Sequence, residues 1–113
     1  MMAETCSLAE RKCVPCEGGV PPLSEERSRA LLAELEEGWA LEEGKLVRSF
    51  KFRSFLEAIA FVNRIAPIAE EEGHHPGITI NYNRVRLQLF THAIKGLSDN
   101  DFILAAKIER IPR

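Results

Sequence analysis

The sequence predicts an α+β fold in which three helices pack on one face of a four-stranded antiparallel sheet, in the order α-β-β-α-β-β-α. Three segments repeat their apolar residues at helical spacing, and two strand-turn-strand segments lie between them. The turns are short, which makes neighbouring strands antiparallel, and helices on one face bury the apolar side of such a sheet. A chain of 113 residues fits one compact domain.

The first 22 residues show neither helical nor strand periodicity and contain all three cysteines, Cys6, Cys13 and Cys16. We expect an irregular leader over residues 1–22 and a single domain over residues 23–113. The CxxC of Cys13 and Cys16 has no fourth ligand at a readable spacing and does not open a helix after a strand, so neither zinc binding nor redox chemistry is indicated. Exposed thiols in a flexible leader are the simpler interpretation.

A first helix is predicted from Ser24, whose side chain can cap it, to Gly38, which stops it. Glu25 and Glu26 lie in the first turn, where negative charge is favoured by the helix dipole. The apolar stripe of this helix consists of Leu31, Leu32 and Leu35.

A first hairpin follows over residues 39–52, with its turn at residues 42–45. One face of its second strand carries Leu46, Phe50 and Phe52, and the other carries Val47, Ser49 and Lys51. Arg48 falls on the apolar face and interrupts the alternation.

The longest helical pattern opens with a capping box formed by Ser54 and Glu57 and ends at Gly73. Its apolar stripe consists of Phe55, Ala58, Ile59, Val62, Ile65, Ala66 and Ala69. Pro67 lies inside this pattern and lacks an amide donor, so we expect the helix to kink or loosen there.

A second hairpin is predicted around a turn at Asn83 and Arg84. Its alternating apolar positions are Ile78, Ile80, Tyr82, Val85, Leu87 and Leu89. A last helix begins at Ser98, where Asp101 completes a capping box, and runs to about Ile111. Apolar residues lie on two sides of this helix, which predicts burial against a partner subunit.

The charge balance and hydropathy argue against two classes of partner. Fifteen Lys and Arg against 17 Asp and Glu give a formal net charge of -2, with no basic block to neutralise a phosphate backbone, so no direct contact with nucleic acid is expected. No apolar run approaches the ~20 residues of a membrane helix, so we expect no membrane partner. The N-terminus lacks the apolar core of a secretion signal, which favours a cytoplasmic location.

All three histidines flank the second hairpin: His74 and His75 where the chain enters it, and His92 where the chain leaves it. His75 precedes Pro76, which favours an extended backbone, so the two adjacent imidazoles point to opposite sides. His92 lies off the apolar face of its strand. Because imidazole titrates near neutrality, several of them around one pocket suit proton transfer in both directions. Histidines that fill polar gaps or face solvent are the ordinary alternative.

A metal site is a rival interpretation of the same cluster. Glu70, His74, His75 and His92 offer the nitrogen and oxygen ligands that such a site uses. The adjacent histidines, however, lack the i, i+4 spacing that places two imidazoles on one helical face, and no second cluster completes a strong signature. We therefore expect no metal.

The pattern E-x3-H-H-P-x5-Y-x9-H-x8-D is formed by Glu70, His74, His75, Pro76, Tyr82, His92 and Asp101. This pattern resembles that of the pterin-4a-carbinolamine dehydratase family, also called the 4a-hydroxytetrahydrobiopterin dehydratases. The CxxC followed by Gly-Gly-Val-Pro-Pro-Leu, the segment around Trp39, the Phe-Lys-Phe strand and residues 91–101 also look like that family. The resemblance extends from about Lys12 to the end of the chain.

The resemblance implies a reaction, the removal of water from the 4a-hydroxytetrahydropterin left behind by aromatic amino acid hydroxylases. An acid protonates the departing hydroxyl and a base takes the proton from the neighbouring nitrogen, so the chemistry needs no metal or organic cofactor. By position, the resemblance implies that His75 is the main acid and base, that His92 is its partner at the pterin, and that His74 is a second proton handler or binder.

The resemblance also implies substrate contacts and an assembly. The residues that it implies as pterin-binding are Glu70, Gly73, Pro76, Phe90, Thr91 and Ala93, with support from Asp101 and Tyr82. Members of the family form dimers whose sheets join across subunits, and the dimers can pair into tetramers. Animal members also act as dimerisation cofactors of a homeodomain transcription factor, so a protein-interaction module is the alternative function.

Overall fold

The computed structural model describes residues 8–13 and 21–113. Three α-helices and four strands follow the predicted order: α1 (Glu25–Leu32), β1 (Ala40–Glu42), β2 (Lys45–Lys51), α2 (Phe55–Glu72), β3 (Gly77–Asn81), β4 (Arg84–Leu89) and α3 (Asp99–Glu109). Short 3-10 helices occupy Leu8–Glu10 and His92–Ile94. The predicted α+β architecture is confirmed.

The four strands form one antiparallel sheet in the order β1-β2-β4-β3. Leu46 lies opposite Leu89, and Phe50 lies opposite Val85, so the apolar positions of the two central strands share one face. β1 pairs with only the first three residues of β2. The edge of β2 beyond Val47 therefore carries no strand of the described chain.

The core lies between the apolar face of the sheet and the helices. Its most deeply buried large side chains are Leu31, Leu46, Phe61, Ile65, Val85, Leu87, Leu89, Phe102, Ile103, Leu104 and Ile108. The residues of α2 that face this core are Ala58, Phe61, Ile65 and Ala69. Phe55 and Ala66, predicted to lie in the same stripe, are exposed, because the buried face of α2 follows Phe61 instead.

The helices start where the sequence signals predict, but α1 ends at Leu32 and not at the predicted Gly38. Beyond Leu32 the chain tightens into turns, in which the N–H groups of Glu34 and Leu35 donate to carbonyls three residues back. The Ser24 side chain accepts from the backbone N–H of Arg27, and the Ser54 side chain accepts from that of Glu57. Gly73 ends α2 in the left-handed region with φ 67°, a conformation that glycine adopts at no steric cost. α2 continues through Pro67 as one helix to Glu72.

The turn of the second hairpin lies one residue earlier than predicted. Asn81 pairs with Arg84, so Tyr82 and Asn83 form the turn. Asn83 binds the end of β2, because its side chain donates to the Phe52 carbonyl and its own carbonyl accepts from the Phe52 N–H, both at 2.8 Å. This tie fixes the register and leaves Tyr82 exposed with φ 56°.

Arg48 does lie on the apolar face of β2, and cation-π contacts accommodate it there. Its guanidinium lies 4.5 Å from the ring centroid of Phe50 and 5.7 Å from that of Trp39, and it pairs with Glu36 at 3.1 Å. The guanidinium thus packs against aromatic rings at the rim of the core.

The apolar character of α3 has an explanation within this chain. Residues 100–106 are all buried in the single subunit, because α2 and the 3-10 helix Leu8–Glu10 both pack against α3. The burial of this helix therefore needs no partner subunit, and the prediction that a partner subunit buries it is corrected.

The described part of the leader is packed rather than exposed. Leu8 is buried in the core, and Cys13 is half-buried, so the interpretation of Cys13 as an exposed thiol is wrong. The corresponding predictions for Cys6 and Cys16 lie outside the described residues. None of the helices in the described ranges combines the length and apolar character that a membrane span requires.

Candidate active site

A cleft of about 410 Å³ lies where three segments of the chain meet. The end of α2 and the loop after it form one side, the loop after β4 forms another, and the start of α3 with the leader closes the third. Its lining consists of Cys13, Glu72, Gly73, His74, His75, Phe90, Thr91, His92, Ala93 and Asn100. A larger cleft of about 870 Å³ lies between β2, α2 and the C-terminal residues, and it contains none of the predicted site residues.

His74 faces inward and contacts a buried carboxylate. Its Nε2 lies 2.6 Å from Oδ1 of Asp101, which has no exposed surface. The other oxygen, Oδ2, accepts from the Thr91 hydroxyl at 2.8 Å and from the Ser98 backbone N–H at 3.0 Å. Because the carboxylate is the acceptor in all these bonds, His74 donates from a protonated Nε2. The imidazole is thereby fixed in one tautomer and one orientation.

His75 faces outward, as the alternation of an extended backbone predicts. Its Nε2 lies 2.9 Å from Oε1 of Glu70, one turn back in α2, and the two side chains are 62% and 82% exposed. The left-handed Gly73 ends the helix just before these histidines and turns the chain so that His74 enters the cleft floor while His75 stays at its rim.

His92 starts the 3-10 helix after β4 and is exposed at the rim of the cleft. Its ring packs edge-on against Phe90, with centroids 5.0 Å apart and an interplanar angle of 77°. The loop that carries His92 is closed at its base, since Thr91 and Gly96 exchange two backbone hydrogen bonds of 2.9 and 3.3 Å. A closed loop holds the imidazole toward the cleft.

The structure brings most of the predicted site residues together. Those that line the cleft are His74, His75, His92, Gly73, Phe90, Thr91 and Ala93. Asp101 and Glu70 contact two of the histidines from outside the lining. Pro76 is half-buried beside the cleft but does not line it.

Tyr82 is the exception. It lies in the turn beyond β3, and five residues of strand at ~3.3 Å each carry it about 17 Å from the start of that strand. Its side chain is 67% exposed. Tyr82 does not line the cleft of its own subunit, and its supporting role stays a prediction.

Sequence reasoning missed three lining residues, Cys13, Glu72 and Asn100. Burial, reinforced by the charge of Glu72, raises the pKa of the Cys13 thiol to about 12. The backbone N–H of Cys13, together with the charge of Lys107, lowers the pKa of Glu72 below its usual range. No local signal marks these residues, because Glu72 stands in a run of three glutamates and Cys13 in an aperiodic leader.

In residues 8–13 and 21–113, no group of three or more His, Cys, Asp and Glu side chains has the arrangement that holds a metal ion. The residues considered above as possible metal ligands do not converge on one point. His74 contacts Asp101 in the interior, whereas His75 contacts Glu70 at the surface.

The sequence is similar to that of one protein family over most of its length. The family model described as pterin 4 alpha carbinolamine dehydratase matches residues 21–111. A relative from Nitrosomonas eutropha is 48% identical over 110 residues, covering 97% of both chains, and one from Rickettsia canadensis is 52% identical over 103 residues, covering 90% of this chain and 94% of the relative. Both carry the name "Putative pterin-4-alpha-carbinolamine dehydratase".

A solved structure is also similar. The crystal structure of a transcriptional coactivator/pterin dehydratase from Brucella melitensis superposes with a TM-score of 0.73 at 34% identity. The match covers 78% of this chain and 95% of the Brucella chain.

Proposed function

The chain belongs to the pterin 4 alpha carbinolamine dehydratase family, and from that premise we propose that it removes water from a 4a-hydroxytetrahydropterin to give the quinonoid dihydropterin. This reaction recycles tetrahydrobiopterin after hydroxylation of aromatic amino acids. The observation that carries the proposal is one cleft lined by three imidazoles, one of which is held by a buried carboxylate. Dehydration needs one group that gives a proton and one that takes a proton, and imidazole does both near neutral pH.

The three histidines differ in freedom, and their proposed roles follow from that difference. His75 and His92 are both exposed in the lining of the cleft, so their protons exchange readily with solvent between turnovers. His75 is the main acid and base, because it stands at the exposed rim of the cleft and Glu70 accepts a hydrogen bond from its ring, which orients the imidazole. His92 is its partner on the other side of the pterin. Each well-placed acid or base contributes about 10²–10⁴ in rate.

His74 is the fixed member of the group. Its Nε2 proton is donated to Asp101, which fixes the orientation of the ring. His74 is therefore a second proton handler and binder, and it always presents the same edge of its ring to the pterin. The Thr91 hydroxyl is also fixed by hydrogen bonds, which it forms with Asp101 and Ser98. Thr91 therefore shapes the cleft through its support of the carboxylate.

The pterin ring fits the remaining lining. Gly73 presents no side chain, so a flat bicyclic ring can approach the backbone there. Phe90 and Ala93 offer an aromatic face and a small apolar side chain beside His92. The chemistry needs no metal or organic cofactor, because proton transfer alone releases the hydroxyl.

The active form is a homodimer or homotetramer in this proposal. Beyond Val47 the edge of β2 is open in the described chain, and an open edge is where a second copy can extend the sheet. On α2, Phe55 and Leu56 are 48% and 76% exposed, which gives a second apolar surface for pairing of dimers. Mass measurement in solution by light scattering tests the assembly, and a monomer at micromolar concentration contradicts it.

The test of the reaction follows the decay of freshly generated 4a-hydroxytetrahydropterin by ultraviolet absorbance. Wild-type protein should accelerate the decay, and His75→Ala should lose at least about tenfold of that acceleration. Glu71→Gln, at the same helix end but outside the cleft lining, is the matched control and should behave as the wild type.

Lack of acceleration by folded wild-type protein contradicts the proposal. The alternative is then the protein-interaction module, and the Brucella relative is named for such a role, as a transcriptional coactivator. Cytoplasmic location and the absence of direct nucleic-acid or membrane partners stay predictions from composition.

A further inference from the structure

One wall of the cleft comes from the N-terminal segment, defined here as residues 8–13. The segment lies on α3: Leu8 is buried, and Arg11 pairs with Asp99 at 3.1 Å. At its end Cys13 lines the cleft, and its Sγ lies 3.6 Å from the Asn100 carbonyl. Cys13 thus shares the lining of the cleft with the loop of His92, so the position of the segment affects the shape of the cleft.

Glu72 connects this segment to the two helices beside it. Oε1 of Glu72 accepts from the Cys13 backbone N–H at 2.7 Å, and Oε2 lies 3.6 Å from Nζ of Lys107 on α3. Lys107 in turn donates to the Ala9 carbonyl at 2.9 Å. One carboxylate and one ammonium group thus join α2, α3 and both ends of the segment.

The burial of Glu72 sets it apart from its neighbours. Its side chain is 4% exposed, whereas that of Glu70 is 82% exposed. A carboxylate at a helix C-terminus is opposed by the helix dipole, and burial of a charge is costly without partners. The Cys13 N–H and Lys107 provide those partners, and the next residues along the chain are Gly73 and His74.

We propose that Glu72 is a positioning residue: together with Lys107 it holds the N-terminal segment as a fixed wall of the cleft and so sets the fit of the pterin ring. This inference rests on the proposed function. The Cys13 thiol is a neutral, weakly polar part of that wall rather than a nucleophile, because the residue is half-buried and its thiol donates to the Asn100 carbonyl.

The first test measures amide hydrogen exchange of peptides that contain the N-terminal segment. Glu72→Gln removes the ion pair between Glu72 and Lys107 by neutralising the carboxylate. Lys107→Met removes the same pair by replacing the ammonium group with an uncharged side chain of similar length. Both variants should exchange at least about fivefold faster in this segment than the wild type. Glu71→Gln is the matched control and should exchange as the wild type does. Exchange at the wild-type rate in both Glu72→Gln and Lys107→Met overturns the proposal.

The second test measures steady-state kinetics with 4a-hydroxytetrahydropterin on the same variants. Glu72→Gln and Lys107→Met should raise KM about three- to tenfold with kcat within about twofold, and Lys107→Arg should restore KM. Faster exchange with an unchanged KM overturns the proposal, since the wall then does not affect the substrate. The exchange experiment needs no turnover, so an inactive wild type contradicts the dehydratase function while the wall is still tested.

Discussion

Nε2 of His74 donates to Oδ1 of Asp101 at 2.6 Å, and Asp101 is wholly buried. The carboxylate is held there by the fold itself, since it also completes the capping box at the start of α3. The Asp101 side chain therefore caps the start of α3 and also holds the cleft histidine His74. The neighbouring contact of His75 with Glu70 has the opposite character, because both partners are largely in solvent.

Asp101→Asn should lower kcat about 10- to 100-fold, because the amide nitrogen that replaces one oxygen donates to His74 and selects the other tautomer. It should also reduce the free energy of unfolding by about 1–3 kcal/mol, since a charged, buried acceptor of several bonds is lost. Steady-state kinetics and urea unfolding measure the two effects. Glu71→Gln, at the end of α2 and outside the cleft lining, is the control. Unchanged kcat in Asp101→Asn contradicts this role of the pair.

Glu70→Gln should leave stability nearly unchanged, with a melting temperature within about 2 °C of the wild type, because exposed ion pairs contribute little. Its kcat should fall by no more than about tenfold, since the glutamine carbonyl still accepts from His75 and keeps the ring oriented. Calorimetry and steady-state kinetics test this. A loss as large as that of His75→Ala assigns Glu70 a direct part in proton transfer.

Local signals in the sequence were sufficient for most of the fold. Ser24 and Ser54 cap helices where the sequence predicts, Gly73 ends α2, and Asp101 completes the last capping box. Each of these features involves residues within one or two turns of each other. Patterns of this range can be read from one sequence because the physical interaction is itself local.

The rest depended on contacts between distant residues. Asn83 moves the hairpin turn by binding Phe52, which is 31 residues away in sequence. Glu72 binds the Cys13 N–H, 59 residues away, and no pattern within the glutamate run separates it from Glu70. The motif includes Tyr82 by its spacing in the sequence, but only the path of β3 shows that it lies at the far end of the hairpin from the histidines.

Glu72 should contribute to stability in a pH-dependent way. Partners in the folded state lower its pKa from the ordinary 4.5, so the unfolded chain binds a proton first as the pH falls. The stabilisation is complete above pH 4.5 and is lost as the pH falls through the lowered folded value. The difference in unfolding free energy between wild type and Glu72→Gln should therefore be largest at neutral pH and shrink in acid. Urea unfolding over this range measures it, and Glu71→Gln should show no such change.

Arg48→Ala should reduce the free energy of unfolding by about 1–2 kcal/mol, because it removes the cation-π contacts with Phe50 and Trp39 and uncovers the rim of the core. The cleft histidines lie elsewhere, so the kinetics should stay unchanged. Arg84→Ala, at the exposed start of β4, is the control and should alter stability by less than about 0.5 kcal/mol. Equal effects of the two variants contradict a packing role for Arg48.

Gly96→Ala should destabilise the loop that carries His92. A Cβ at Gly96 lies 2.5 Å from Cβ and 2.8 Å from Cγ of Pro22, and a rigid proline ring gives way only if the backbone moves. The resulting overpacking should lower the free energy of unfolding by about 1–3 kcal/mol. Gly77→Ala is the matched control, because its Cβ meets only ordinary contacts of 3.6 Å or more. Urea unfolding of both variants tests the close approach, and a Gly96→Ala protein as stable as Gly77→Ala means that Pro22 does not pack against Gly96 in solution.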